Sequence, residues 1–338
     1  KVSILFFLIF KFYKMMFLNF ILMSTVLVSS SYSWFSMWIG LELNLLSIIP
    51  LLVNNKNMYA SESAIKYFII QALASMIFLF SILMNQLFDY MTTLNWLLNS
   101  TLLLKMSAAP FHFWFPEIIE GLNWFNSFIM LTWQKIAPMI ILINNLNLNL
   151  MPIIIIISML ISGLMGLNQT SLRKIMVFSS INHIGWMLMS MMENSSIWFI
   201  YFLVYFLSSF IIFIMFWKLN TFNITQLMFS LKKNFFLKIF LMMNFFSLSG
   251  LPPFLGFFPK WLIIQFMIEK NYIIIPFMAL ILTLMPIYFY IRLTLPTLMN
   301  LYSNFMINET FYKMSFMITM NFIFLTSLTF VTLFFNFI

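Results

Sequence analysis

Residues 107–116 read SAAPFHFWFP, and residues 250–259 read GLPPFLGFFP. Each writes Pro-Phe, three residues and Phe-Pro inside an apolar run. Proline there removes a backbone donor and clashes with the preceding turn, so it interrupts a helix. The spacing is repeated as well, because 143 positions separate Pro110 from Pro253 and again Pro116 from Pro259. A chain with 45 phenylalanines matches phenylalanines by accident, so the paired prolines carry the repeat.

The composition around these motifs is that of a membrane. With 63% hydrophobic and 7% charged residues among 338, and a mean hydropathy of +1.02, charges are too few to cover a water-soluble globule. No stretch is polar enough to form a soluble domain, and no linker divides the chain, so 1–338 reads as a single membrane domain. The absence of cysteine excludes disulfides, Cys-ligated iron-sulfur clusters and a thiol nucleophile. The 31 methionines and 7 glycines point to an AT-rich genome of the animal mitochondrial kind. The short apolar stretch Val2 to Phe10, followed by Lys11 and Lys14, lacks a small-residue cleavage site and is not expected to be a cleaved signal.

A crossing helix needs roughly 20 mostly apolar residues. Charges, Asn clusters and prolines mark eleven candidates, near 15–31, 33–53, 60–85, 91–109, 121–145, 150–167, 171–192, 194–219, 236–268, 272–295 and 313–337. The runs lack the period-two alternation of a barrel, so the expected fold is an all-α polytopic membrane protein preceded by an N-terminal extension, 1–14. Basic residues collect on the side from which a membrane protein is inserted. Alternating the connections puts Lys1, Lys11, Lys14, Lys56, Lys66, Arg173, Lys174, Lys218, Lys232, Lys233, Lys238, Arg292 and Lys313 on one side and only Lys270 on the other. The N-terminus is thereby expected on the basic face and the C-terminus opposite. Five spans separate the two proline motifs, an odd number, which reverses orientation. The expected architecture is two inverted five-helix repeats, about 91–219 and a truncated or divergent 236–338, each with a Pro-broken helix of the kind transporters place around buried sites.

Three lysines remain inside apolar runs, Lys105, Lys135 and Lys260, together with Glu42. An ionised side chain at mid-bilayer costs about 2.5–3.5 kcal/mol on insertion scales, so each needs a reason. Snorkelling to the interface suits Lys66, Lys174 and Lys218, which lie close to span ends. A static ion pair suits Glu42 with one lysine and leaves two unexplained. The alternative is a proton relay, since burial favours the neutral form of such groups and a movable counter-charge switches it back. His112 in the first proline motif and His183 in the seventh span add imidazoles that suit a relay, or else bond a buried carbonyl. The sequence contains no GxGxxG, P-loop, HExxH or Cys cluster, so no nucleotide, flavin, haem or metal is expected on the chain itself. The net charge of +9 fits loops beside anionic lipid such as cardiolipin, with no nucleic-acid partner.

The blocks WIGLELNLLSIIPLL, LLLKMSAAPFHFWFPEIIEG, TWQKIAP, GLNQTSLRKIMVFSSINHIGWM and FFSLSGLPPFLGFFPKW resemble the antiporter-like membrane-arm subunits of mitochondrial respiratory complex I, in an insect-like form. The resemblance covers about 33–295. It implies an inner-membrane location with the N-terminus on the matrix side and the C-terminus on the intermembrane side. It also implies a non-redox, proton-translocating role within NADH:ubiquinone oxidoreductase, beside other membrane-arm subunits including neighbouring antiporter-like chains. NADH, flavin, iron-sulfur clusters and ubiquinone would belong to other subunits. By the same resemblance Glu42 and Lys105 form a coupling pair, Lys135 is the central relay lysine, Lys260 the terminal one, and His112 and His183 relay histidines. Two other readings share these features: a stand-alone cation/proton antiporter, which would exchange ions without partners, and a structural scaffold, whose lysines would be static.

Overall fold

The computed structural model describes residues 2–53, 57–87, 92–231 and 235–299. The eleventh expected span and Lys1, Lys56, Lys232, Lys233 and Lys313 lie outside these. Fourteen α-helices account for nearly all described residues, and the one β feature among them is an isolated bridge between Ser171 and Asn223. Among the described residues six stretches are long and apolar enough to cross a membrane, namely Phe12–Ser30, Trp34–Leu52, Met58–Leu87, Trp124–Asn144, Ser195–Leu219 and Ile274–Pro296.

The chain forms two compact units, 1–154 and 155–338. In the first, α1 (Val2–Ser30) continues through the segment read as an extension and packs along α2 (Trp34–Leu52). Next come α3 (Met58–Leu87), α4 (Thr92–Met106), α5 (Trp114–Gly121), α6 (Trp124–Leu131) and α7 (Ile136–Asn144). Here α3 packs on α2, α4 and α5, while α7 packs on α1, α2 and α4. Connecting the units in sequence is α8 (Met151–Leu167). In the second unit α9 (Leu172–Met191) contacts α10 (Ser195–Leu219), α13 (Phe257–Glu269) and α14 (Ile274–Met299). Helices α11 (Ile224–Ser230) and α12 (Phe235–Ser249) complete it.

Helix α9 carries Arg, Lys, Ser, Asn and His and is not apolar enough to count among the six stretches, yet all but Arg173 and Lys174 of its 20 residues are buried. Protein rather than lipid surrounds it, so its polar groups do not meet hydrocarbon.

Both proline motifs break a helix. The first break runs from the end of α4 at Met106 to the start of α5 at Trp114, and the second from Ser249 to Phe257. At each, the next residue takes a left-handed conformation, φ 63° at Ser107 and φ 76° at Gly250. Paired amide bonds then close the helix end, Ser107 to Leu104 and Ala108 to Leu103 in one case, Gly250 to Ser247 and Leu251 to Phe246 in the other. This is the Schellman termination, which satisfies carbonyls that a helix end leaves open. The peptide bonds Ala109–Pro110 and Pro252–Pro253 are cis.

A third interruption falls where the sequence reading placed one continuous span, 121–145. Helix α6 ends at Leu131, and residues Trp133–Lys135 form a 3-10 turn before α7. The cause is Pro138, which has no N–H to offer the Gln134 carbonyl and crowds it. Pro286, by contrast, sits inside α14 without ending it. A proline alone does not decide a break.

Candidate functional site

The first unit gathers its polar side chains where α2, α3, α4 and the Trp133–Lys135 turn meet. Lys105 occupies the last turn of α4 and is buried, 8% exposed. It lines a cavity of about 20 Å³ with Leu41, Asn44, Leu45, Tyr67, Gln71, Gln134 and Pro138. That volume holds about one water. The Tyr67 hydroxyl donates to Gln134 Oε1 at 3.3 Å, and Gln134 Nε2 donates to Asn44 Oδ1 at 3.1 Å. A hydrogen-bonded chain thus crosses the cavity from α3 through the turn to α2. Gln71 is 4% exposed, and its Nε2 has no partner among the described residues. Half-buried Glu42 on α2 is the carboxylate near enough to act on Lys105 electrostatically.

Lys135 follows Gln134 and is 2% exposed, among the largest fully buried side chains. Its Nζ stands 5.5 Å from the centroid of the Phe115 ring on α5, so an aromatic face offers partial charge stabilisation to a buried ammonium. His112, in the first break, is 2% exposed; its Nδ1 lies 3.3 Å from the Pro110 carbonyl and its ring 4.3 Å from Phe113. Glu42, Lys105, His112 and Lys135 therefore all belong to residues 1–154, whereas His183 and Lys260 belong to 155–338.

In the second unit Lys260 sits in the first turn of α13, just past the second break, and is 6% exposed. Its Nζ donates to the Ser249 carbonyl at 2.6 Å and stands 5.2 Å from the Trp186 ring centroid on α9. The helix break thus supplies an acceptor that an unbroken helix would have used itself. His183, 4% exposed, has Nδ1 2.8 Å from the Tyr201 hydroxyl and its ring 4.8 Å from that of Tyr205.

Lys66, expected to snorkel, has a 44% exposed side chain near the start of α3 and pairs with Glu62 at 3.1 Å and with Glu117 of α5 at 3.3 Å. Asn44, Tyr67, Gln71 and Gln134 were not singled out from sequence. A signal was there for three of them, which are uncharged amides inside apolar spans, two within two residues of Glu42 or Lys135; Tyr67 is a phenol and gave none. Glu193, joined to Lys270 at 2.9 Å, was also missed, because it falls at a span end where an acid is ordinary.

A family model described as NADH:quinone oxidoreductase/Mrp antiporter, transmembrane, matches residues 31–286. NADH-ubiquinone oxidoreductase chain 2 of Anopheles gambiae is 48% identical over 329 residues, 95% of this chain and 93% of the relative. The protein of the same name from Bos taurus is 38% identical over 293 residues, 83% and 84% of the two chains. A chain in the structure of respiratory complex I from Thermus thermophilus with bound aureothin superposes with a TM-score of 0.82 at 22% identity, over 94% of this chain and 78% of that one. Matched along most of its length by the family model and by these relatives, the chain belongs to the transmembrane family of NADH:quinone oxidoreductase and Mrp antiporter proteins.

Proposed function

We propose that the chain is the chain 2 type, non-redox, proton-translocating subunit of respiratory NADH:ubiquinone oxidoreductase in the mitochondrial inner membrane. It assembles with the other membrane-arm subunits, including neighbouring antiporter-like chains, and with inner-membrane lipids such as cardiolipin. NADH, flavin, iron-sulfur clusters and ubiquinone are held elsewhere in the complex, and this chain contributes ionisable groups only. The near full-length likeness to relatives of that name supports the assignment.

The observation that carries the mechanism is the burial of three lysines, each beside an interrupted helix: Lys105 at the end of α4, Lys135 in the 3-10 turn and Lys260 at the start of α13. Intramembrane charges of this kind mark ion pathways. When Glu42 moves away, Lys105 loses the anion that supports its charge, and its proton passes by water toward Lys135 and on to Lys260. His112 and His183 serve as further carriers beside the first break and on α9. Release follows toward the intermembrane side.

The topology that accompanies this reading has eleven spans in one membrane domain and two inverted repeats, with the basic face toward the matrix. Its support is the offset of 143, which relates the helix ends Met106 and Ser249, the restarts Trp114 and Phe257, and the left-handed residues Ser107 and Gly250. Lys135→Ala tests the relay. The expected result is an assembled complex that moves fewer protons per electron in sealed vesicles. An unchanged ratio would leave Lys135 a packing residue.

A further inference from the structure

Lys260 shares its side of α9 with a second charged site. Trp186, which carries the Lys260 ammonium over its ring, lies seven residues before Glu193, just past the end of α9. Two helical turns separate them, roughly 10 Å along the axis. At that level α13 ends, and Lys270 Nζ lies 2.9 Å from Glu193 Oε2 and donates to the Glu193 backbone carbonyl at 3.4 Å. Thus α13 meets one side of α9 twice, first through Lys260 and then through Lys270.

The pair is lopsided. The Lys270 side chain is 50% exposed and that of Glu193 only 1%. Glu193 Oε1 is buried without a partner among the described residues, and so are Trp186 Nε1 and Asn182 Oδ1. Positions 182 and 186 fall within about 40° of one another at 100° per residue, Glu193 follows two residues after the helix ends, and Ser190, whose hydroxyl donates to the Met187 carbonyl at 2.7 Å, stands between the last two in sequence. A latch between two helix ends requires only the oxygen that meets Lys270. It does not account for a second carboxylate oxygen turned inward, nor for two more orphaned polar atoms on the same stripe below it. Buried polar atoms left in this state are where proteins hold ordered water.

We infer that Glu193 is the proton acceptor on the release side of Lys260, and that Lys270 is the counter-charge that holds this exit shut. The inference rests on the relay proposed above. An N–H bond of the Lys260 ammonium breaks, water on the Asn182–Trp186–Ser190 stripe accepts that proton and passes one on, and an O–H bond forms at Glu193. The neutral carboxyl no longer holds the Lys270 ammonium, and the proton leaves to bulk water at the exposed end. Lys270 is also the single basic residue that the charge count places on the face opposite the other thirteen.

The test uses the assembled complex in sealed vesicles, reading protons moved per electron together with the amount of complex on native gels. Glu193→Gln and the exchanged pair Glu193→Lys with Lys270→Glu are compared with Lys260→Ala. Both Glu193 variants are expected to lower the ratio, although the exchange restores the ion pair and assembly. A full ratio in the exchanged pair, or in Glu193→Gln, would make the pair a latch and overturn the inference. Should neither variant assemble, the unmodified complex decides by mass spectrometry. A hydrophobic carbodiimide, which modifies carboxyls that take up a proton, is expected to label Glu193 during NADH turnover and not at rest. Labelling indifferent to turnover would overturn the inference. If Lys260→Ala keeps the full ratio, the relay itself has failed; if it lowers the ratio and the Glu193 variants do not, only the acceptor has.

Discussion

At the scale of single residues, burial separates lysines that look alike in sequence. Lys66 and Lys105 both stand in apolar runs, but Lys66 meets two exposed glutamates while Lys105 meets a cavity lined by neutral amides and a phenol. Those groups add polarity around the lysine without adding charge, and in the proposed relay Glu42 sets the lysine's charge. Gln134 is the centre of that arrangement, since it accepts from Tyr67 and donates to Asn44. Gln134→Leu keeps the volume but strands a buried hydroxyl and a buried carbonyl oxygen, at about 1–3 kcal/mol each. The expected outcome is a lower thermal midpoint for the assembled complex, with proton pumping reduced. A variant with unchanged midpoint would show that the chain of bonds contributes nothing. The lysines were legible in sequence because charge in an apolar run is conspicuous. Gln134 was not, because a lone amide in a span is cheap enough to occur without a role.

At the scale of elements, the two breaks were legible and the third was not. The first two announce themselves by at least two prolines apiece with aromatics between them, whereas the turn at Lys135 has only Pro138 to mark it in sequence, and Pro286 leaves α14 continuous. What the sequence could not convey is how a break is used. At the second break the left-handed Gly250 lies against Lys260: a Cβ there would stand 2.7 Å from Cδ and 2.9 Å from Nζ. The absence of a side chain therefore lets Lys260 reach the Ser249 carbonyl. Gly250→Ala would meet both the left-handed penalty, roughly 1–2 kcal/mol, and the lysine. The flexible lysine moves more readily than the backbone, so the expected loss is in protons per electron more than in assembly. Equal losses of both would point to a general defect of the fold. The offset of 143 that maps one break on the other also sets Glu117 at the position of Lys260. The two motifs thus share a backbone turn and differ in charge, and Glu117 is spent on Lys66 instead.

At the scale of the whole molecule, hydropathy by itself recovers six stretches among the described residues, and the further crossings proposed here would escape it for a physical reason. A span that lipid surrounds must be apolar, whereas α9, wrapped by α10, α13 and α14, carries the polar residues from which the site in its unit is built. Charge placement reads topology where hydropathy fails, because it depends on the loops and not on what the helix faces. It puts the two ends of α8 on opposite faces, Asn149 away from the basic side and Asn168 on it. With 17 residues, α8 is about 26 Å long at 1.5 Å per residue, close to the hydrocarbon thickness of about 30 Å. The chain contains no cysteine, so a single introduced thiol reports without background. In sealed inner-membrane vesicles of known orientation, an impermeant maleimide is expected to label Asn149→Cys from the intermembrane side only and Asn168→Cys from the matrix side only. Both positions are exposed in the chain, so reactivity follows sidedness. Labelling of both from one side would remove α8 from the crossings. It would shift every later connection to the other face and scatter the thirteen basic residues across both sides, leaving Lys270 with no claim to the release face.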